Sequence, residues 1–233
     1  MRRGLRYSSV FVAVLLLAAV ASSLLGCGGG GQLADPVAVL SNSSAKMKQI
    51  KGFHFVYEVH KPGNTKPGPG LEIARITGDV NVDGDMMAAI DVTQGGLPLT
   101  LNFVQVADTQ YLQIGQWQKI PVESSPVGKL SLGAGTVAIL QQVAGAKDVG
   151  QESKGGAKCY HITGNVAAEA VKAIAQSVDT TAPFPTDIWI GVSDGYIYEV
   201  DIHGPAAADE PTGTWRSIIL SKHDTAVDIK API

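Results

Sequence analysis

Hydrophobic residues follow three rhythms along this chain: one unbroken run, a few helical stripes and, for most of the length, alternation. The unbroken run spans residues 10–21. From Asp35 the rhythm becomes helical. Asp35-Pro36 offers a capping side chain followed by proline at the first helical position. Val37, Leu40, Met47 and Ile50 then recur at helical spacing, which predicts an amphipathic helix to about Lys51. After Gly52 the period falls to two. Phe53, Phe55, Tyr57 and Val59 alternate with His54, Glu58 and His60, the pattern of a half-buried strand.

Further strands are predicted in series. Residues 71–82 form one whose apolar phase slips near Arg75, as a bulge would cause. Residues 86–92 follow an Asp83-Gly84 turn. Leu97, Leu99, Leu101 and Phe103 line one face of the next, and 109–114 pairs back after Asp108, with Trp117 closing the hairpin. Two helices interrupt the series: 136–144, with Val137, Leu140 and Val143 in a stripe, and 166–178, entered through Asn165, with Val171, Ile174, Ala175 and Val178 on one face. A strand at 157–163 separates them, and strands at 187–192, 196–203 and 214–222 follow. Strand follows strand through tight turns, so the sheet is antiparallel and meandering. A sheet of nine or ten strands curls, one face is buried, and curling over Ala-rich helices leaves an apolar hollow. The predicted fold is α+β, a single large curved antiparallel sheet wrapped over a few helices.

The unbroken run changes the picture of the start. Arg2, Arg3 and Arg6 precede it and Leu24-Leu25-Gly26-Cys27 follows it, the order of an export signal. The run is shorter than the roughly 20 residues of a membrane span. A Cys directly after Leu-x-Gly is the bacterial lipobox, at which the thiol is diacylated and the signal removed. Gly28 to Gly31 then read as a flexible tether. The expected organisation is a signal peptide at 1–26, the lipidated Cys27 with its tether at 27–34, and one domain at 35–233. That places the chain at the cell membrane, lipid-anchored on the extracytoplasmic face.

Composition narrows the functions. Arg2, Arg3 and Arg6 leave with the signal, so 15 basic residues face 21 acidic ones, a net charge of −6. No basic block offers a stripe for nucleic acid or an anionic membrane surface. With Cys27 acylated, Cys159 is the remaining thiol and reads as buried and inert in the context Lys158-Cys159-Tyr160-His161-Ile162. Low-complexity sequence is confined to the tether and a Pro- and Gly-rich hairpin loop between Lys61 and Gly70.

Motifs for catalysis and metals fall short. Asp79-Val80-Asn81-Val82-Asp83-Gly84-Asp85 fits the first half of an EF-hand loop, but position 12 is Ile90 and the flanks alternate with period two, so a β-turn is expected. His54, His60, His161, His203 and His223 show no metal-ligand spacing and read as solvated strand histidines. No nucleophile elbow is present, and Gly133-Ala134-Gly135 lacks the third glycine of a dinucleotide loop. Asp187, Asp194, Glu199 and Asp201 are spaced as turn and outer-face residues. No enzyme activity, metal or cofactor is expected.

Together, the lipobox, the first amphipathic helix, the meander ending Tyr111-Leu112 and Trp117, the stretch Pro185-Thr186-Asp187-Ile188-Trp189-Ile190 with Gly195-Tyr196-Ile197, and the closing Val227-Asp228-Ile229-Lys230-Ala231-Pro232 resemble the actinobacterial lipoprotein family of LppX, LprA, LprF and LprG. More remotely the chain is similar to the LolA and LolB lipoprotein carriers. The resemblance implies a half-barrel sheet over helices with a cavity for the acyl chains of an amphipathic lipid or lipoglycan, carried across the envelope, in some members beside a lipid exporter. Its implied ligand-lining set is Phe53, Phe55, Tyr57, Leu99, Leu101, Phe103, Val137, Leu140, Val171 and Ile174, positions that by periodicity alone read as core. The partners it implies are the lipid itself, the membrane through Cys27 and an exporter, with the chain acting as a monomer. Two rival readings share the sequence: a structural or sensory lipoprotein of the same fold without a ligand, and an envelope hydrolase with a dispersed site.

Overall fold

The computed structural model describes residues 35–62, 71–128, 130–175 and 178–233. The signal, the lipobox with Cys27, the tether and most of the Pro-rich loop lie outside the described residues. Helix α1 (Pro36–Met47) starts as its sequence demands: Asp35 accepts a hydrogen bond from the Val37 N–H at 3.0 Å and Pro36 occupies the first turn. Its buried face is Leu40, Ser43, Ser44 and Met47, whereas Val37 is exposed.

The strands are β1 (Gly52–His60), β2 (Leu71–Asn81), β3 (Met86–Gln94), β4 (Leu97–Val106), β5 (Thr109–Ile114), β6 (Gln116–Ile120), β7 (Val143–Lys154), β8 (Ala157–Val166), β9 (Phe184–Gly191), β10 (Ile197–His203) and β11 (Trp215–Ser221). They form one sheet in the order β6-β5-β4-β3-β2-β1-β11-β10-β9-β8-β7, antiparallel throughout. The first meander steps outward from β1 to one edge. The chain then crosses to the opposite edge, and the second meander steps back until β11 pairs with β1, from His54 opposite Ser221 to His60 opposite Trp215. An open sheet of this width cannot stay flat. The bulge expected near Arg75 is present as a register shift between Ile73 and Arg75, and the Asp83-Gly84 turn closes with Gly84 at φ 84°.

Three expectations need correction. The helix placed at 136–144 is α2 (Leu132–Gln141), and Val143 and Ala144 belong to β7 instead. The helix placed at 166–178 is cut to α3 (Ala168–Val171), because Asn165 and Val166 pair with Ala144 and Val143 on one side and Pro185 and Phe184 on the other. The first helix stops at Met47 rather than Lys51. Beyond these, β7 is a strand where the alternation gave no sign of one, and Trp117 sits in a separate edge strand, β6.

One face of the sheet packs against the helices. Phe53, Phe55, Ile76, Ile90, Phe103, Ile162, Ile188, Val200 and Ile218 point inward to meet Leu40 and Met47 of α1, Leu132, Ile139 and Leu140 of α2, and Val171 of α3. Gly135 in α2 allows the close approach of the segment after α3: a Cβ there would stand 3.0 Å from Ile174 Cγ2. The outer face mixes charged and polar residues with a few apolar ones, among them Met87, Val104 and Trp189.

Candidate ligand cavity

The inward phase of β1 and β2 does not meet helix everywhere. Towards the far end of these strands, Tyr57, Val59, Ile73 and Ile76 face Val127 and Leu130 of the loop before α2, Ile174 just beyond α3, and Ala207 of the β10–β11 loop. Between them lies a hollow of about 200 Å³. Its floor is apolar. Its rim carries Lys61, Glu72, Asp209, Glu210 and Arg216, with Lys61 Nζ donating to Glu72 Oε2 at 3.2 Å.

Arg216 is the anomaly of the site. It occupies an inward position of β11, opposite Val59, in phase with Ile218 and Leu220, and is only 4% exposed. A guanidinium there demands compensation. Glu210 supplies it through an ion pair with Nη2, and Nη1 donates to the Gly204 carbonyl at 3.4 Å. Glu210 is itself held in place by the N–H groups of Ala206 at 2.7 Å and Ala207 at 3.4 Å. Burial alone would raise the Glu210 carboxyl, but Arg216 and these N–H groups outweigh it and hold the pKa below the ordinary value. Tyr57 is the reverse case, since burial pushes its phenol up and the neighbouring Arg216 offsets only part. One donor stays unused. Arg216 Nε is buried with no hydrogen-bond partner among the described residues.

Of the ten residues proposed to line a cavity, Tyr57 and Ile174 border the hollow. Phe53, Phe55, Leu101, Phe103, Leu140 and Val171 are fully packed in the core. Leu140 also touches an open groove beside Leu40 and Val143, and Val137 is half-buried against the core. Leu99 keeps the inward phase of Leu101 and Phe103 but is 45% exposed. Sequence reasoning missed Ile73, Ile76, Val127, Leu130, Glu210 and Arg216. Arg216 left one visible trace, a charge standing in the apolar phase of a strand.

The outer face pairs its histidines rather than leaving them solvated. His161 bridges Glu152 at 2.9 Å and Asp187 at 2.8 Å, and His203 reaches the second Asp187 oxygen at 2.8 Å. His60 stacks on Trp215 with centroids 3.8 Å apart. No group among the described residues gathers three ligands suited to a metal ion. The half-EF-hand stretch is a turn in which Asn81 Oδ1 accepts from the Asp83 and Asp85 N–H groups. Cys159 is fully buried and burial raises its thiol pKa, the environment of an unreactive thiol.

A single open antiparallel sheet curved over the three α-helices of the described residues defines the half-barrel α+β class. Within that class the chain belongs to the LppX_LprAFG lipoprotein family, which it matches over residues 35–229. It is similar to the lipoarabinomannan carrier protein LprG of Mycobacterium tuberculosis (strain ATCC 25618 / H37Rv), with 28% identity over 244 residues covering 99% of this chain and 97% of the relative. It is similar to LprG of Mycobacterium leprae at 26% identity, covering 96% of this chain and 95% of the relative. In fold it resembles the crystal structure of LprF from Mycobacterium bovis, at TM-score 0.65 and 18% identity over 87% of this chain and 99% of that one. LppX from Mycobacterium tuberculosis follows at TM-score 0.58 and 16% identity, over 84% and 100%.

Proposed function

We propose that this chain is a membrane-anchored lipoprotein that binds an amphipathic lipid or lipoglycan by its acyl chains and carries it across the cell envelope to an exporter. Residues 1–26 are removed, the acylated Cys27 anchors the chain on the extracytoplasmic face, residues 27–34 give it reach, and residues 35–233 act as a monomeric binding domain without catalysis. The observation that carries this reading is the hollow: apolar side chains of β1 and β2 on one side, loop residues on the other, and ion pairs at the rim. Relatives of this chain are named as lipoarabinomannan carriers, which supports a ligand of the same chemical kind. Burying acyl chains gives about 25 cal/mol per Å², so binding needs dry volume and no special chemistry.

The size of the hollow favours a second reading. At about 200 Å³ it is below the roughly 300–1,000 Å³ of ordinary ligand pockets, and Phe55 and Phe103 are fully buried where a larger chamber was expected. On the carrier reading the hollow must widen to admit more than part of one chain. On the second, the domain is a structural or sensory lipoprotein that works through protein contacts. Native mass spectrometry of the mature domain expressed in an actinobacterial host separates them. Co-purifying adducts that extract into organic solvent and fragment to acyl chains support the carrier. A clean mass that also refuses added phospholipid and triacylglycerol sinks it.

A further inference from the structure

Arg216 Nε is a buried cationic donor at the border between the apolar floor and the charged rim of the hollow, in a guanidinium that neighbours Tyr57, and it has no hydrogen-bond partner among the described residues. Leaving such a donor unpaired is costly, and the fold does so while spending Glu210 and the Gly204 carbonyl on the other two guanidinium nitrogens. The missing acceptor must reach a depth where Arg216 is 4% exposed. A sugar hydroxyl stays in the water outside. A phosphate carries its own charge into a rim where Lys61 and Arg216 already face Glu72, Asp209 and Glu210, one carboxylate in excess. A neutral acceptor attached directly to an acyl chain fits both depth and charge.

Resting on the carrier reading above, we propose that Arg216 is a ligand-binding residue whose Nε–H takes the ester carbonyl oxygen of an acylated lipid, with the chain running past Ile76 and Ile174 into the hollow. Recognition then reads the ester linkage rather than the head group. The Glu210 pair keeps the guanidinium neutralised and fixed, so its Nε is oriented before the lipid arrives. Ether-linked chains, which lack the carbonyl, leave the donor unpaired in the complex.

The experiment compares binding of 1,2-dioleoylglycerol and its dialkyl ether analogue to the mature chain, by displacement of a fluorescent fatty acid. The ester is expected to bind roughly tenfold more tightly, the scale of a hydrogen bond to a charged donor. In the double variant Arg216→Met with Glu210→Gln, which strands neither charge, the preference should disappear while both lipids still bind. If that variant does not fold, Arg216→Lys retains the charge, removes Nε and should lose the preference likewise. Equal binding of ester and ether by the unaltered protein overturns the proposal and leaves the carrier reading intact. Tighter binding of a dialkyl ether phosphate than of the diacylglycerol also overturns it, giving Nε to a phosphate. Failure of every lipid to bind removes the carrier reading and this proposal with it.

Discussion

Gly78 and Ala88 stand directly opposite each other on β2 and β3, and the residues flanking them across the sheet are Phe55 on β1 and Phe103 on β4. Two minimal side chains thus separate two fully buried rings in one row across four strands. On a concave face side chains converge, and alternation of small with large residues is what lets the layer fill without strain. The tolerance is small. A Cβ on Gly78 would fall 2.2 Å from the Met87 carbonyl oxygen and 2.8 Å from Ala88 Cβ. Gly78→Ala is therefore expected to cost about 2–3 kcal/mol through overpacking. Urea unfolding should show a lower midpoint at unchanged slope, and a change under about 0.5 kcal/mol would refute the crowding argument.

Asp201 faces Asp187 across the β9–β10 pair. Like charges in that position repel, and Asp187 is relieved by His161 and His203. Among the described residues, Asp201 has a hydrogen bond from Ser217 Oγ at 2.6 Å. Burial first, then Glu199, raise its pKa, and the Ser217 hydrogen bond, Lys154 and His203 offset only part. A raised carboxyl pKa means the native state holds a proton that the unfolded chain gives up near pH 4, so this site loses stability as pH rises through that window. Asp201→Asn keeps the acceptor for Ser217 and removes the charge. It should gain about 0.5–1 kcal/mol at pH 7 and nothing below pH 4. Thermal melts at the two pH values check this; loss of stability at pH 7 would contradict it.

Periodicity revealed β1 to β5 because each has one buried and one wet face. It missed β7 because an edge strand with mostly exposed residues on both sides has no apolar phase to read. Gly133 and Gly135 disguised the first turn of α2, and β8 claimed the residues that looked like the start of a helix at Val166. The hollow was harder to see for a different reason. Phe55 and Tyr57 share a strand, a face and a phase, yet Phe55 is solid core and Tyr57 borders the hollow. What distinguishes them is the loop lying opposite, and no local pattern encodes that.

On the proposed reading, Cys27 is what anchors the chain. Cys27→Ala should move the protein from the membrane to the soluble fraction and abolish metabolic labelling with palmitate. The melting temperature of the folded domain should stay unchanged, since the matched family region begins at Asp35. Retention in the membrane without the label would mean that some other segment holds the chain there.

Two tryptophan substitutions separate hollow from core. Ile73 is half-buried, lines the hollow and precedes the β2 bulge, so its side chain has space ahead of it. Ile73→Trp is expected to fill that space, lower lipid uptake at least about tenfold, and shift the melting temperature by no more than about 4 °C. Val171 is fully buried in α3 and absent from the hollow's lining. Val171→Trp must force the helix off the sheet, at about 1–3 kcal/mol. Lipid-uptake titrations and thermal melts on both variants decide the matter. Should Val171→Trp block uptake while leaving stability untouched, the binding space would lie between α3 and the sheet, and the hollow beside Arg216 would be only its vestibule.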